Sequence, residues 1–193
     1  QLKTADKVFD RFDFTLDGYI GKLLFKTYEL NNTVFKGRIT ANELQIAQFS
    51  CLLGNSDIAG SGEIKNMFNW LYKDQTLGGK IVLKSSFFDM NQFMQPTSKN
   101  VQVNTSKQPV QAEKLEPVAI PAKIDMEIDG NFSKLLYTNM TLANVNGTLK
   151  IADQAVRINN CTAQTLGWTA NVTGGYNSKN LEKPGFDIKL GLL

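Results

Sequence analysis

Fourteen residues near the start of this chain, FDFTLDGYIGKLLF (Phe12–Phe25), return about 112 residues later as IDMEIDGNFSKLLY (Ile124–Tyr137). Asp, Asp, Gly, Lys, Leu and Leu hold register between the copies, and the apolar positions around them stay apolar. A duplicated unit is the strongest constraint a single sequence can carry, because one supersecondary pattern must then serve twice in the same body. Within each copy the pattern is alternation. Phe12, Phe14 and Leu16 interleave with Asp13, Thr15 and Asp17; Ile124, Met126 and Ile128 interleave with Asp125, Glu127 and Asp129. A period of two sends one set to each face of a β-strand.

The rest of the chain extends this pattern. Strands are predicted over 33–40, 43–49, 57–62 and 79–85, and the Asp-Gly inside each repeated phrase reads as the turn that ends its alternating strand. In the second copy Val145, Gly147, Leu149 and Ile151 share a face, followed by Val156 and Ile158, then Trp168, Ala170 and Val172, and then Phe186, Ile188, Leu190 and Leu192. Short strands at such spacing predict a mainly β fold: two repeated antiparallel, curved β-sheet modules with one or two short helices. Ile64, Met67, Phe68 and Leu71 fall at helical spacing, so a helical insert is predicted near 64–73, with a second short cover near 87–94. Residues 1–95 and 120–193 read as the two modules. Residues 96–119, polar and carrying Pro96, Pro109 and Pro117, read as a flexible linker or loop between them.

Composition narrows the function. Hydrophobic residues make up 42% and charged residues 20% of the chain, an ordinary globular balance. The net charge of +3 is spread without a basic stripe, which argues against nucleic acid. With no histidine, the usual neutral-pH base is missing. Asp13, Asp17, Asp125, Glu127 and Asp129 are the most tempting constellation for paired catalytic acids, and alternation puts them on the polar face, where solvation is the better account. Asp57 and Asp89 show no evident partner in the sequence. The reading is therefore non-enzymatic, with no cofactor and no metal. Cys51 and Cys161, at roughly corresponding places, read as packing residues and not as a disulfide. Gly60–Gly62 and Gly174–Gly175 read as tight bends or bulges, and Trp70, Tyr72 and Trp168 as core or sheet-edge packing. Sequons at Asn31, Asn104, Asn131, Asn139, Asn146, Asn160 and Asn171 read as an Asn- and Thr-rich sheet surface.

No stretch is long and apolar enough to span a bilayer, and the opening at Gln1-Leu2-Lys3 would fit a fragment of something longer. A sheet with one apolar side must bury it. Either the two modules curl round their own core, or they leave a trough with a greasy floor; sequence alone leaves both open.

The segments LNNTVFKGRITANEL from Leu30, GNSDIAGSGEIKNMFNWL from Gly54, TLGGKIVLKSSFFDMNQFM from Thr76, IPAKIDMEIDG from Ile120, KLLYTNM from Lys134 and ANVNGTLKI from Ala143 carry a resemblance. The chain resembles the AsmA family of bacterial envelope proteins, specifically the C-terminal AsmA-like region of Bacteroidetes-type members. That resemblance implies a periplasmic location, as part of a larger protein anchored in the inner membrane, and a role in outer-membrane biogenesis or lipid homeostasis. It also implies an apolar groove that holds or guides acyl chains. Phe14, Leu16, Ile39, Ile46, Ile81, Met126, Ile128, Leu149, Val156, Ile188 and Leu190 would line its wall or core. The implied partners are phospholipid or another envelope lipid, and other envelope proteins. The rival expectation is a closed-core structural domain that binds another envelope protein through its sheet edges.

Overall fold

The structure, a computed structural model, describes residues 12–25, 28–94 and 117–193. In chain order its elements are β1 (Asp13–Phe25), β2 (Tyr28–Thr40), β3 (Glu43–Leu53), β4 (Ser56–Lys65), α1 (Met67–Lys73), β5 (Leu77–Ser85), β6 (Phe88–Asp89), α2 (Asn91–Met94), β7 (Ile124–Tyr137), β8 (Met140–Ala152), β9 (Ala155–Thr165), β10 (Trp168–Asn177) and β11 (Gly185–Leu192). All the strands belong to one sheet in the order β1-β2-β3-β4-β5-β7-β8-β9-β10-β11, with β6 alongside β7. The protein is mainly β, as its alternation predicts.

The repeat survives at the level of elements. Adding 112 to the bounds of β2, β3 and β4 gives the bounds of β8, β9 and β10. Asn32 and Asn144, also 112 apart, both take the left-handed conformation, with φ of 52° and 51°. Two separate sheets do not follow from this, and here the expectation is corrected. β5 pairs with β7 from Leu77↔Ile124 to Ser85↔Phe132, and this joint is parallel. A parallel pair needs a crossover of about a dozen residues or more, which residues 86–123 supply. The predicted linker, 96–119, falls wholly within this stretch, and residues 95–116 lie outside the described residues.

Asp-Gly does not end the repeated strand. β1 runs through Gly18 and β7 through Gly130 without a break in pairing. At Gly130 the room a side chain would take is filled by the Phe132 ring, which a Cβ would meet at 2.6 Å. The glycine makes space for an aromatic neighbour and forms no turn. The other glycines stand at register shifts, as a bulge reading expects: between Ile46 and Phe49, opposite Gly62 and Gly60, and between Val172 and Gly174. They are also sites of close backbone approach. Gly62 has φ of 153°, and a Cβ there would strike the Lys80 carbonyl oxygen and come within 2.8 Å of the Ile81 Cα. At Gly174, 112 residues on, it would strike the Asp187 carbonyl and come within 2.9 Å of the Ile188 Cα. Only glycine lets neighbouring strands come so near.

The helix begins at Met67, so Ile64, counted in its apolar stripe, belongs to β4 and pairs with Leu44 and Gly79. No α1 residue is fully buried. Phe68 meets Phe12 edge-on at 5.1 Å between ring centres, and Phe12 stacks on Phe14 at 5.6 Å. The helix that leaves β4 therefore touches the residue beside β1.

Among the described residues Leu135, Val145 and Ala163 form a small buried apolar cluster, with Phe88, Met90, Phe132, Leu142 and Cys161 packed against them, while Ala41, Cys51, Met126, Ala155 and Ala170 are buried outside it. It sits at the end of the sheet where β6 and residues 90–92 cross towards the β7–β8 turn. Cys51 is buried and Cys161 half-buried, both as free thiols whose pKa burial pushes up. They are not strict equivalents, since the repeat pairs Cys51 with Ala163 and Cys161 with Phe49.

Candidate functional site

Following the cross-strand register from edge to edge brings distant residues into lines. Phe14, Ile39, Leu44, Ile64, Gly79, Met126, Ile151, Val156, Tyr176 and Phe186 are successive partners across all ten strands of the main path. Two residues further along, Leu16, Gly37, Ile46, Gly62, Ile81, Ile128, Leu149, Ile158, Gly174 and Ile188 form a second line. Direct partners share a face, so both lines lie on one side, broken only by glycines. Ten strands at about 4.8 Å spacing make this apolar face roughly 45 Å across.

The eleven apolar residues singled out in the sequence all fall on this face. Phe14, Ile39, Met126 and Val156 stand in the first line; Leu16, Ile46, Ile81, Ile128, Leu149 and Ile188 stand in the second; Leu190 lies beyond Ile188, opposite Val172. Leu44, Ile64, Ile151, Ile158, Tyr176 and Phe186 complete the lines, and alternation within their own strands was the signal for them. Met126 is buried, whereas Phe14 is 58%, Ile188 51% and Leu190 64% exposed. Among the described residues no second layer covers the middle of the face. α1 flanks one end, and the 86–92 segment the other. Trp168 and Tyr72 are exposed, which excludes the core half of the core or sheet-edge packing expected of them.

The opposite face is charged. One line there runs Thr15, Arg38, Gln45, Glu63, Lys80, Glu127, Lys150, Arg157, Gly175 and Asp187. The carboxylates considered for catalysis are paired across strands: Asp13 with Arg38, Asp17 with Lys36 at 3.5 Å, and Asp125 with Lys150 at 2.5 Å. Lys80 bridges the joint to Glu127 at 2.6 Å and Asp129 at 2.9 Å. The hydrogen bond from Arg38 holds Asp13 below the usual carboxylate range, and those from Lys80 and then Thr148 do the same for Asp129. Pairs this exposed add little stability individually; they mark the wet side and fix register. Asn131 donates to Asn146 at 2.6 Å on this surface. Asn104 lies outside the described residues. Among the described residues no cluster of three or more potential metal ligands occurs, and no helix is long and apolar enough to cross a membrane. A hollow of about 500 Å³ over β9–β11 opens to solvent and is lined by Val156, Ile158 and Phe186 together with Arg157, Asp187 and Lys189.

Asp57 and Asp89, without evident partners in the sequence, are both engaged. The Asp57 carboxylate accepts from Ser86 N at 2.9 Å, Phe87 N at 2.7 Å and Ser85 Oγ at 3.2 Å. Ser56, with 0% exposure, accepts through Oγ from Asp89 N at 2.9 Å and from Gln92 Nε2 at 2.6 Å. Asp89 Oδ1 in turn accepts from Asn91 N at 3.0 Å. Asn91 exchanges bonds with the Thr138 backbone at 2.7 and 3.0 Å. Residues 86–92 thus form a strap from the start of β4 to the end of β7.

Partial burial works against the Asp57 charge, but the donated bonds prevail and its pKa is lowered. A lowered carboxylate stabilises the fold above its unfolded pKa, about 3.9, and that contribution is lost as pH falls through the lower folded value. Asp57→Ala is expected to cost about 1–2 kcal/mol near neutral pH, restrained by the partial exposure of the group. Denaturant midpoints at pH 7 and pH 2.5 check this, and the gap between variant and parent should narrow at pH 2.5.

No protein-family model, curated protein sequence or solved structure matches the chain.

Proposed function

We propose that this chain is a non-enzymatic component of the bacterial envelope that holds or guides lipid acyl chains along its apolar sheet face, as its resemblance to AsmA-like regions implies. The observation that carries the reading is the pair of apolar lines crossing the whole sheet with partly exposed side chains. Monomeric soluble proteins rarely expose contiguous apolar areas beyond a few hundred Å². The pattern suits a long flexible apolar guest, because it is continuous across strands and offers no convergent polar group to fix a small polar substrate.

Two features support a curved floor in place of a flat one. Phe68 reaches Phe12 across the space between β4 and β1, and Gly62 and Gly174 allow close backbone approach at equivalent points of the apolar face. The two halves then act as repeats of one groove wall joined at β5 and β7. Each methylene laid on the floor contributes about 0.8 kcal/mol, while head groups stay at the wet rim. Transfer along such a floor is passive. Periplasmic placement and anchorage of a larger parent protein in the inner membrane belong to the same proposal.

Native mass spectrometry of the chain purified without harsh detergent tests it. Co-purifying phospholipid, or uptake of added phospholipid at defined stoichiometry, is the expected result. Protein that stays lipid-free after addition would leave the closed-core interaction domain as the better account.

A further inference from the structure

We propose that the open edge of β11 receives β1 of a second copy of this chain, in the parallel register that β5 and β7 adopt inside the molecule. The internal joint is the template. Ile64 and Tyr176 are 112 residues apart and face Gly79 and Phe186, so β11 stands to β10 as β5 stands to β4. β1 and β7 are likewise the repeated phrase.

Carrying the β5–β7 register over sets Phe186 of one copy opposite Phe14 of the other, and Ile188 opposite Leu16. Both apolar lines then continue across the boundary. On the polar face the pair Val82↔Asp129 becomes Lys189↔Asp17. An ammonium thus meets a carboxylate beside the joint, as Lys80 meets Glu127 and Asp129 within the molecule.

The edges are built to accept such a partner. Leu193 and Thr169 exchange both backbone bonds, at 2.8 and 2.9 Å. By alternation Lys189 and Gly191 bond towards β10, while Ile188, Leu190 and Leu192 turn N–H and C=O outward. Among the described residues no strand pairs with this outer edge. Neither β1 nor β11 contains proline, and neither edge pair carries a register shift, although β2–β3, β3–β4, β8–β9 and β9–β10 all do. Prolines and bulges are the usual guards of a free edge. Because the contact joins unlike surfaces, it propagates head to tail and does not close as a twofold dimer.

Sedimentation velocity over a wide concentration range is the test. The parent chain should show mass rising with concentration. Leu190→Pro, which removes an outward N–H and no bond to β10, should sediment as a monomer. Asp17→Lys or Lys189→Asp alone should weaken association about tenfold, and the two together should restore it. Circular dichroism verifies folding, and if Leu190→Pro unfolds, the charge exchange decides. A parent chain that stays monomeric throughout overturns the proposal, as does association unchanged by both the proline and the charge reversals. Association lost with Ile128→Lys but kept with Leu190→Pro would mean face-to-face contact and overturns it too. Asp17→Lys, altered on the polar face only, should still take up phospholipid, which keeps this test separate from that of the lipid reading.

Discussion

Replacing Ile81 and Ile128 together by Lys is expected to lower the affinity for a fluorescent long-chain fatty acid about 100-fold while leaving the sheet folded. These side chains are direct partners at the β5–β7 joint, in the middle of the second apolar line. Each isoleucine contributes roughly 1.5 kcal/mol of apolar contact to a chain lying over it, and the two losses sum to about two decades in Kd. Fold survives because both positions are half-buried, and lysine can lay its stem along the sheet and lift its ammonium to water. Fluorescence titration beside a far-ultraviolet spectrum reads both parts. Unchanged affinity would remove the middle of the face from the binding surface.

The second large effect is on stability. Leu135→Ala should cost about 2–5 kcal/mol, and more per atom removed than a change at an exposed position of the open face such as Leu190. Leu135 is 8% exposed and sits with Val145 and Ala163 at the centre of the small core, against Phe88 and Met90 of the strap. Phe88 meets Phe132 at 5.2 Å between ring centres, so a cavity beneath them also loosens residues 86–92. Denaturant unfolding should show the lower midpoint, and limited proteolysis should show faster cleavage in the strap than in the parent. An equal cost from Leu190→Ala, at the exposed edge, would contradict this picture of where the core lies.

What the sequence disclosed and what it hid divide along one physical line. Alternation is local, so Phe14, Leu16, Met126, Ile128, Leu149 and Ile188 could be assigned to a face from their neighbours alone, and all lie on it. Register between strands is not local. Nothing near Leu77 or Ile124 announces that the two are parallel partners, and hence that the two halves share one sheet. Helical spacing misplaced Ile64 because a strand residue can fall by chance at i, i+3, i+4 and i+7 with a helix that follows it. Asp-Gly signals a turn in its commonest use, whereas at Gly130 the space it leaves serves the Phe132 ring, a contact between side-chain neighbours that no dipeptide rule contains. Asp57 found its donors at Ser85, Ser86 and Phe87, nearly thirty residues away, through the β4–β5 pairing.

Site-specific photocrosslinking tests the lipid-face account most directly. A photoreactive residue is placed at Ile128 on the apolar face, or at Thr148 on the polar face, and the folded protein is irradiated with phospholipid vesicles. The account predicts lipid adducts at position 128 and none above background at position 148. Equal labelling of the two faces, or none at position 128 with the fold intact, would contradict it.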